Sequence, residues 1–179
     1  ILFVSSPYDA FIMEEDGALM DDVISSYKGI GLSQPARFTV VPTAEDALDM
    51  LETRQFDLVV TMPRFFGMDA ITLGKRLKEI QQDIIVVMLV HNIKSLSSIT
   101  SSISPNSIDK VFTWTGNRSI LLAIIKWAED KLNVDHDTEL AMVRVIIVVE
   151  DSAYYYSSLL PILYEAIMKQ TQKNFYDSL

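Results

Sequence analysis

Short apolar runs alternate with helix-forming segments along most of the chain. A short, unbroken apolar run is typical of a strand buried on both faces of a parallel sheet. The pattern predicts strands over residues 1–4, 38–41, 57–62, 84–90 and 110–113. Apolar residues at helical spacing between the runs predict helices over 9–27, 44–54, 69–81, 118–132 and, more weakly because it is serine-rich, 94–104. This alternation predicts an α/β fold with a doubly wound five-stranded parallel sheet and helices on both faces.

Polar residues mark two of the helix starts. Thr43 followed by Asp46 resembles a capping box, with Asp in place of the usual Glu. Asp69 begins the helix over 69–81, whose residues spaced to face the core are Ile71, Leu77 and Ile80. The helix over 118–132 is predicted to turn inward Ile120, Leu121, Ile124, Trp127 and Ala128.

The opening of the chain is repeated near its end. Residues 1–4 precede the pair Ser5-Ser6, residues 146–149 precede the pair Glu150-Asp151, and a helix follows each pair. Such a repeat indicates a second domain of the same kind. Since domains cluster near about 100–150 residues, we predict a first domain over 1–133, a linker over 134–144, and the first strand and helix of a truncated second domain over 145–179.

The apolar run at 145–149 predicts an extra C-terminal strand that needs a partner. An all-apolar strand cannot stay unpaired in water. It either adds beside the fifth strand through a right-handed crossover or exchanges with another copy of the chain. We favour the second, a homodimer through the C-terminal strand and helix. Pro161 is expected to kink that helix, whose predicted apolar face is Leu159, Leu160, Leu163, Ile167 and Met168.

The composition is that of a globular protein and excludes several kinds of site. Of 179 residues, 49% are hydrophobic and 22% are charged. The net charge of −9 argues against a nucleic-acid partner, because phosphate binding needs a clustered basic face. No apolar run approaches the ~20 residues that span a bilayer, and residues 1–4 are too short for a secretory signal. Zero cysteines and two histidines exclude thiolate chemistry and a multi-histidine metal site. We expect a cytoplasmic protein with no membrane contact and no cofactor.

The third predicted strand and the turn after it carry a family resemblance. The segment Asp57-Leu58-Val59-Val60-Thr61-Met62, with Gly67-Met68-Asp69 opening the next helix, is similar to the third strand and Gly-Met-Asp turn of response-regulator receiver domains. The resemblance covers residues 1–132 and restarts at Val145. It implies a flavodoxin-like sheet with strand order 2-1-3-4-5 and a role in bacterial two-component signal transduction.

In that family an aspartate that ends strand three is phosphorylated. Two acidic residues that end strand one hold Mg²⁺ together with it. A hydroxyl that ends strand four and a lysine that ends strand five contact the phosphoryl oxygens.

The resemblance places each of these chemical positions on a residue that cannot perform the step. A serine pair cannot replace two carboxylates as a magnesium site, and a thioether is neither a phosphorylatable nucleophile nor a ligand for a hard cation. The positions are Ser5 and Ser6 for the acidic pair, Met62 for the phosphoacceptor, Val90 for the hydroxyl, His91 for the small residue after it, Val111 for the aromatic switch and Trp114 for the lysine. We therefore interpret the chain as a degenerate receiver, or pseudo-receiver, with no carboxylate near enough to rescue the site.

Some of these positions have a second interpretation. Ser5-Ser6 either binds an anion at a helix N-terminus or caps the helix. His91 near a serine suggests a nucleophile pair, but the sequence offers no orienting acid, so a partly buried strand-end histidine is the alternative. Met62 and Trp114 either fill the emptied site, which we favour, or form a sticky surface for a partner.

Glu150 and Asp151 match the family's acidic pair. They either bind Mg²⁺ weakly or are solvated carboxylates at a strand end, and we favour the latter because a third ligand is missing.

The combined interpretation is a regulatory or protein-interaction module without enzyme activity, whose protein partner is unidentified. One alternative is the regulatory part of a larger bacterial protein with a phosphoenolpyruvate-synthase-like, ATP-binding region, because residues 150–172 resemble segments of proteins that join receiver-like modules to such a region. Another is a flavodoxin-like domain that binds a flavin or small anion over the strand ends. We expect the chain to be a fragment of a longer protein with tandem receiver-like modules.

Overall fold

A computed structural model describes residues 1–9, 36–65, 67–91, 103–117, 119–140, 142 and 144–177. The helices predicted over 9–27 and 94–104 lie almost entirely outside these residues. The chain divides into two compact units, Ile1–Thr115 and Gly116–Leu179. The domain boundary predicted from the sequence lies at residue 133.

The described residues of the first unit form a five-stranded parallel sheet. Its strands are β1 (Leu2–Val4), β2 (Thr39–Val41), β3 (Leu58–Thr61), β4 (Ile85–Val90) and β5 (Lys110–Thr113). Their order across the sheet is β2-β1-β3-β4-β5, which confirms the predicted flavodoxin-like topology. The register places Val4 beside Val41 and Thr61, and Val90 beside Thr113. The carboxyl ends of the strands therefore meet at one edge.

Burial follows the position of each strand in the sheet. Every residue of β1, β3 and β4 is buried, as expected of inner strands covered on both faces. β2 lies at the sheet edge, where Val40 is 41% exposed. One part of the core joins Val59, Val86 and Met88 of the sheet to Leu51 and Leu73 of the helices.

Helix α1 (Ala44–Thr53) begins at the predicted cap. The Thr43 hydroxyl accepts a hydrogen bond from the Asp46 N–H at 3.1 Å and donates one to the Asp46 carboxylate at 2.6 Å. The capping box is confirmed, because Asp at this spacing satisfies the cap as Glu does elsewhere.

Helix α2 (Ala70–Ile80) buries a face that differs from the predicted one. Leu77 is buried as expected, but Ile80 is 47% exposed and its inward assignment is wrong. The buried face is Ala70, Leu73, Gly74 and Leu77. A Cβ on Gly74 would stand 2.1 Å from the Ser107 carbonyl oxygen, so the helix backbone lies directly against that loop. A prediction based on the spacing of large apolar residues does not detect the contact that Gly74 makes with this loop.

The second unit pairs helix α3 (Ser119–Glu139) with helix α4 (Ala153–Asp177). α3 runs past residue 133 into the predicted linker, and α4 continues through Pro161. The Tyr164 hydroxyl on α4 donates a 2.6 Å hydrogen bond to the Asp130 carboxylate on α3. The residues predicted to lie inward on α3 are buried except Trp127, which is partly exposed.

The strand predicted at 145–149 is wrong, because residues 144–150 form neither helix nor strand. Val145, Ile146, Ile147 and Val149 are 55%, 63%, 82% and 90% exposed. An apolar run becomes a strand only where a neighbouring backbone supplies hydrogen bonds, and the sheet of the first unit does not include these residues.

The predicted apolar face of α4 is only partly correct. Leu160 is buried, whereas Leu159 is 48% exposed.

Among the described residues, no helix combines the length and apolar character that a bilayer crossing requires.

Candidate functional site at the carboxyl edge of the sheet

The residues that follow the strands lie side by side along the carboxyl edge of the sheet. The Met62 N–H donates to the Val4 carbonyl at 3.1 Å, which continues the pairing of β3 with β1 past the strand end. The Trp114 N–H donates to the Val90 carbonyl at 2.7 Å, which does the same for β5 and β4. The fold therefore brings together the predicted site positions that follow β1, β3, β4 and β5.

Met62 occupies the end of β3 as a buried apolar side chain. It is 1% exposed, and its backbone is fixed by the hydrogen bond to Val4. A thioether at this position offers neither charge nor a nucleophilic oxygen. The end of β3, where a receiver carries its phosphoacceptor, is thus occupied by hydrocarbon and sulfur.

Ser5 is buried at the end of β1. It is 1% exposed, its N–H donates to the Val41 carbonyl at 3.2 Å, and its hydroxyl has no hydrogen-bond partner among the described residues. An unsatisfied buried hydroxyl costs about 1–3 kcal/mol. An ionised carboxylate in the same place would cost more unless a cation accompanied it.

Ser6 is a helix cap. Its hydroxyl accepts from the Asp9 N–H at 3.1 Å and donates to the Asp9 carboxylate at 2.6 Å. These are the same bonds and lengths that join Thr43 to Asp46. Residues 7–9 are helical, so the serine satisfies the first turn of the helix that follows β1.

Asp9 also contacts His91, the residue after β4. The His91 Nε2 lies 3.3 Å from an Asp9 carboxylate oxygen. The His91 side chain is 39% exposed, more than the partly buried histidine that was expected. Because Asp9 stands between Ser6 and His91, the serine hydroxyl donates to the carboxylate and not to the imidazole. This order of groups does not match a serine nucleophile activated by histidine.

We call Ser6, Asp9 and His91 the strand-end link. β1 and β4 are separated by β3, a distance of about 10 Å across two strand spacings, so the link spans the end of β3. Asp9 was not among the residues singled out from the sequence, and it places one carboxylate near this edge. The signal was present in the serine-to-aspartate spacing, which repeats the spacing of Thr43 and Asp46.

The lysine position at the end of β5 is occupied by Trp114, which is partly buried. The one lysine of β5, Lys110, begins the strand and pairs with Val87, so it lies about 13 Å from the carboxyl edge. Burial lowers the pKa of Lys110. Val111, at the position of the aromatic switch, is partly buried against the core.

The turn after β3 has a local role in the fold. Gly67 has φ +94°, and a Cβ there would lie 2.9 Å from a carboxylate oxygen of Glu45. Asp69 caps α2 by accepting hydrogen bonds from the N–H groups of Ile71 and Thr72, both at 3.0 Å. The Thr72 hydroxyl donates to the same carboxylate and lowers the pKa of Asp69. Asp69 therefore belongs to the helix cap.

Glu150 and Asp151 lie in the second unit, next to the start of α4. One Glu150 carboxylate oxygen accepts from the Ser152 N–H at 2.9 Å, and Asp151 is exposed. Among the described residues, no group of three His, Asp or Glu side chains is arranged to hold a metal ion.

Several solved structures with the same fold are receiver domains. The chain is similar to the signal receiver domain of an HD domain-containing protein from Pseudomonas fluorescens, with 18% identity, a TM-score of 0.51, and coverage of 76% of this chain and 90% of that one. It is similar to a CheY-like response regulator receiver domain from Methanospirillum hungatei, with 18% identity, a TM-score of 0.52, and coverage of 75% and 95%. A receiver domain of a putative LuxO repressor protein from Vibrio parahaemolyticus gives 11% identity, a TM-score of 0.53, and coverage of 77% and 95%.

The structural similarity and the strand order together establish the fold, which is that of CheY-like receiver domains. No family model matches the sequence, and a search of curated proteins found no match.

Proposed function

We propose that the chain is a receiver-like regulatory module that acts by binding a protein partner and does not use phosphorylation on aspartate. The observation that carries the proposal is Met62, buried at the end of β3 and bonded through its N–H to Val4. A phosphoryl acceptor must present a nucleophilic oxygen at that place, and a thioether cannot.

The charges around Met62 support the same conclusion. Ser5 and Ser6 provide no negative charge where a receiver holds Mg²⁺, and Ser6 is already engaged with Asp9. Trp114 stands where a lysine would meet the phosphoryl group, and Lys110 lies at the opposite end of β5. A single carboxylate, Asp9, does not assemble the set of oxygen ligands that Mg²⁺ requires.

The strand-end link supplies a connection that needs neither metal nor phosphate. In receivers the ends of the first and fourth strands meet through Mg²⁺ and the phosphoryl group. Here Asp9 joins the serine after β1 to the histidine after β4. We infer that the carboxyl edge is held in one arrangement by this link, so that partner binding does not await a phosphorylation signal.

The test is incubation of the full chain with acetyl phosphate and Mg²⁺, followed by intact mass measurement. We expect no phosphoryl adduct, while an active receiver domain treated in parallel gains one. A Met62→Leu variant, which keeps the volume and apolar character, should behave like the unmodified chain.

A stoichiometric adduct that hydroxylamine removes would contradict the proposal. The most informative site for it would be Asp9, the carboxylate within the strand-end link. Loss of that adduct in an Asp9→Asn variant would show that the link itself is a phosphoacceptor.

A further inference from the structure

Residues 145–149, the C-terminal apolar segment, form a run of apolar side chains of which four are exposed. Their exposure reaches 82% at Ile147 and 90% at Val149. The residues are valine and isoleucine throughout, which are the residue types that most favour a strand. An exposed run of this kind, with its backbone outside any sheet, is a template for pairing with another chain.

The helix that follows carries further exposed apolar surface. Tyr155, Leu159 and Ile162 on α4 are 64%, 48% and 63% exposed. Their spacing of four and three residues places them on one face of the helix. α4 begins two residues after Asp151, so the stripe lies next to the segment in the sequence.

We propose that the C-terminal apolar segment pairs antiparallel with the same segment of a second copy of this chain. In a symmetric antiparallel pair the two-fold axis is perpendicular to the sheet, so a residue and the residue opposite it point to the same face. Opposed positions must therefore be an even number of residues apart in the sequence. Centred on Ile147, the pairing places Ile147 opposite its own copy, Ile146 opposite Val148, and Val145 opposite Val149.

The charges at the two ends select this register. Arg144 precedes the segment and is exposed, and Glu150 follows it. The register centred on Ile147 places Arg144 of each copy opposite Glu150 of the other, which is favourable for a cross-strand pair. A parallel pairing would oppose Arg144 to Arg144 and Glu150 to Glu150. A shift of the antiparallel register would set one of these charges against an apolar residue.

Glu150 can accept hydrogen bonds from Ser152 of its own chain and from Arg144 of the second copy at the same time. One of its carboxylate oxygens accepts from the Ser152 N–H. A carboxylate has two oxygens and about four acceptor positions, so it can accept from an arginine as well.

Two paired strands are marginally stable in water without a hydrophobic face to cover them. The exposed stripe on α4 supplies apolar surface for this purpose. The dimer thus buries strand and helix together. The inference deepens the proposed function by naming a partner, and it rests on the chain being an interaction module. It is independent of the chemistry at Met62, so either can fail alone.

Cysteine cross-linking tests the register on the full 179-residue chain, which has no native cysteine. In an Ile147→Cys variant the two sulfurs lie on opposed residues, whose Cα atoms are about 4.5–5.5 Å apart and within disulfide range. In the matched Val145→Cys variant the two cysteines are about 13 Å apart because each faces Val149. We expect disulfide dimers at least about tenfold faster for Ile147→Cys, and equal rates would overturn the register.

Charge reversal tests whether the ends of the segment select the partner. Arg144→Glu or Glu150→Arg alone turns two favourable pairs into two unfavourable ones, so sedimentation should show the dimer weakened about tenfold or more. The double variant Arg144→Glu/Glu150→Arg restores opposite charges and should recover the dimer. A monomeric unmodified chain, or association that neither single variant weakens, would overturn the proposal. Such results would leave the acetyl phosphate experiment unaffected.

Discussion

Residues 1–9 and residues 145–153 have the same order of apolar, polar and helical positions but different surroundings. In the first region Leu2 and Val4 are fully buried in β1, between two neighbouring strands. In the second region Ile147 and Val149 are more than four-fifths exposed and belong to no strand. The helix starts differ too, since Ser6 caps through Asp9 and Ser152 has no acidic residue three positions on.

The difference shows that an apolar run favours a strand but does not by itself form one, because a strand needs a neighbouring strand to pair with. β1 is a strand because β2 and β3 supply hydrogen bonds on both of its sides. The C-terminal apolar segment has the residue types of a strand but no such neighbours among the described residues. The same local sequence is therefore core in one place and an exposed surface in the other.

The largest expected effect is on the free energy of unfolding, which should depend on the buried run in β1 and not on the exposed run at 145–149. Leu2→Ala leaves a cavity in the core and should lower the free energy of unfolding by about 2–5 kcal/mol. Ile147→Ala removes an exposed side chain and should change it by less than about 0.5 kcal/mol at a concentration where the chain is monomeric. Urea denaturation followed by circular dichroism measures both.

One result for Ile147→Ala would contradict this comparison. A loss of more than about 2 kcal/mol in dilute Ile147→Ala would mean that the segment is packed within one chain, contrary to its 82% exposure.

A smaller effect is expected at the two helix caps. The Ser6 hydroxyl makes bonds of 3.1 and 2.6 Å with Asp9, whereas the Ser152 hydroxyl accepts from the Tyr155 N–H at 3.4 Å. Ser6→Ala should therefore cost about 1 kcal/mol, and Ser152→Ala less than half as much. Thermal unfolding of the two variants measures the difference. Equal losses would show that the capping box adds nothing to a single hydroxyl.

The smallest effect is the dependence of stability on pH, which is expected to have opposite signs in the two units. The lowered pKa of Asp69 gives the first unit stability that is present above the ordinary value of 3.8 and is lost as the pH falls through the lower folded value. Burial, with help from Asp130, raises the pKa of Tyr164. The second unit therefore keeps that stability below pH 10.0 and loses it as the pH rises further.

Unfolding measured across pH separates the two contributions. Asp69→Asn keeps a capping side chain and should flatten the acid side of the profile. Tyr164→Phe should flatten the alkaline side. An unchanged profile in either variant would contradict the assigned cause.

The sequence allowed the individual positions at the strand ends to be predicted, but not the contacts between their side chains. Met62 and Trp114 follow β3 and β5 as the spacing indicated. The contact of Asp9 with His91 could not be predicted, because the two residues lie far apart in the sequence and only the parallel sheet brings them together. On α2 the inward face was assigned to Ile80, because a contact made through Gly74 leaves no hydrophobic signal.

The sequence by itself indicated the five strands of the first unit and the cap at Thr43, because these follow from buried apolar runs and from hydrogen bonds between residues three apart. The order of the strands was implied by the resemblance to receiver domains. Only the tertiary structure decided which apolar run became a strand and which carboxylate reached the sheet edge. Backbone pairing and ion pairs depend on what lies alongside in space. That neighbour is supplied by distant parts of the chain or, as we propose for the C-terminal apolar segment, by a second copy.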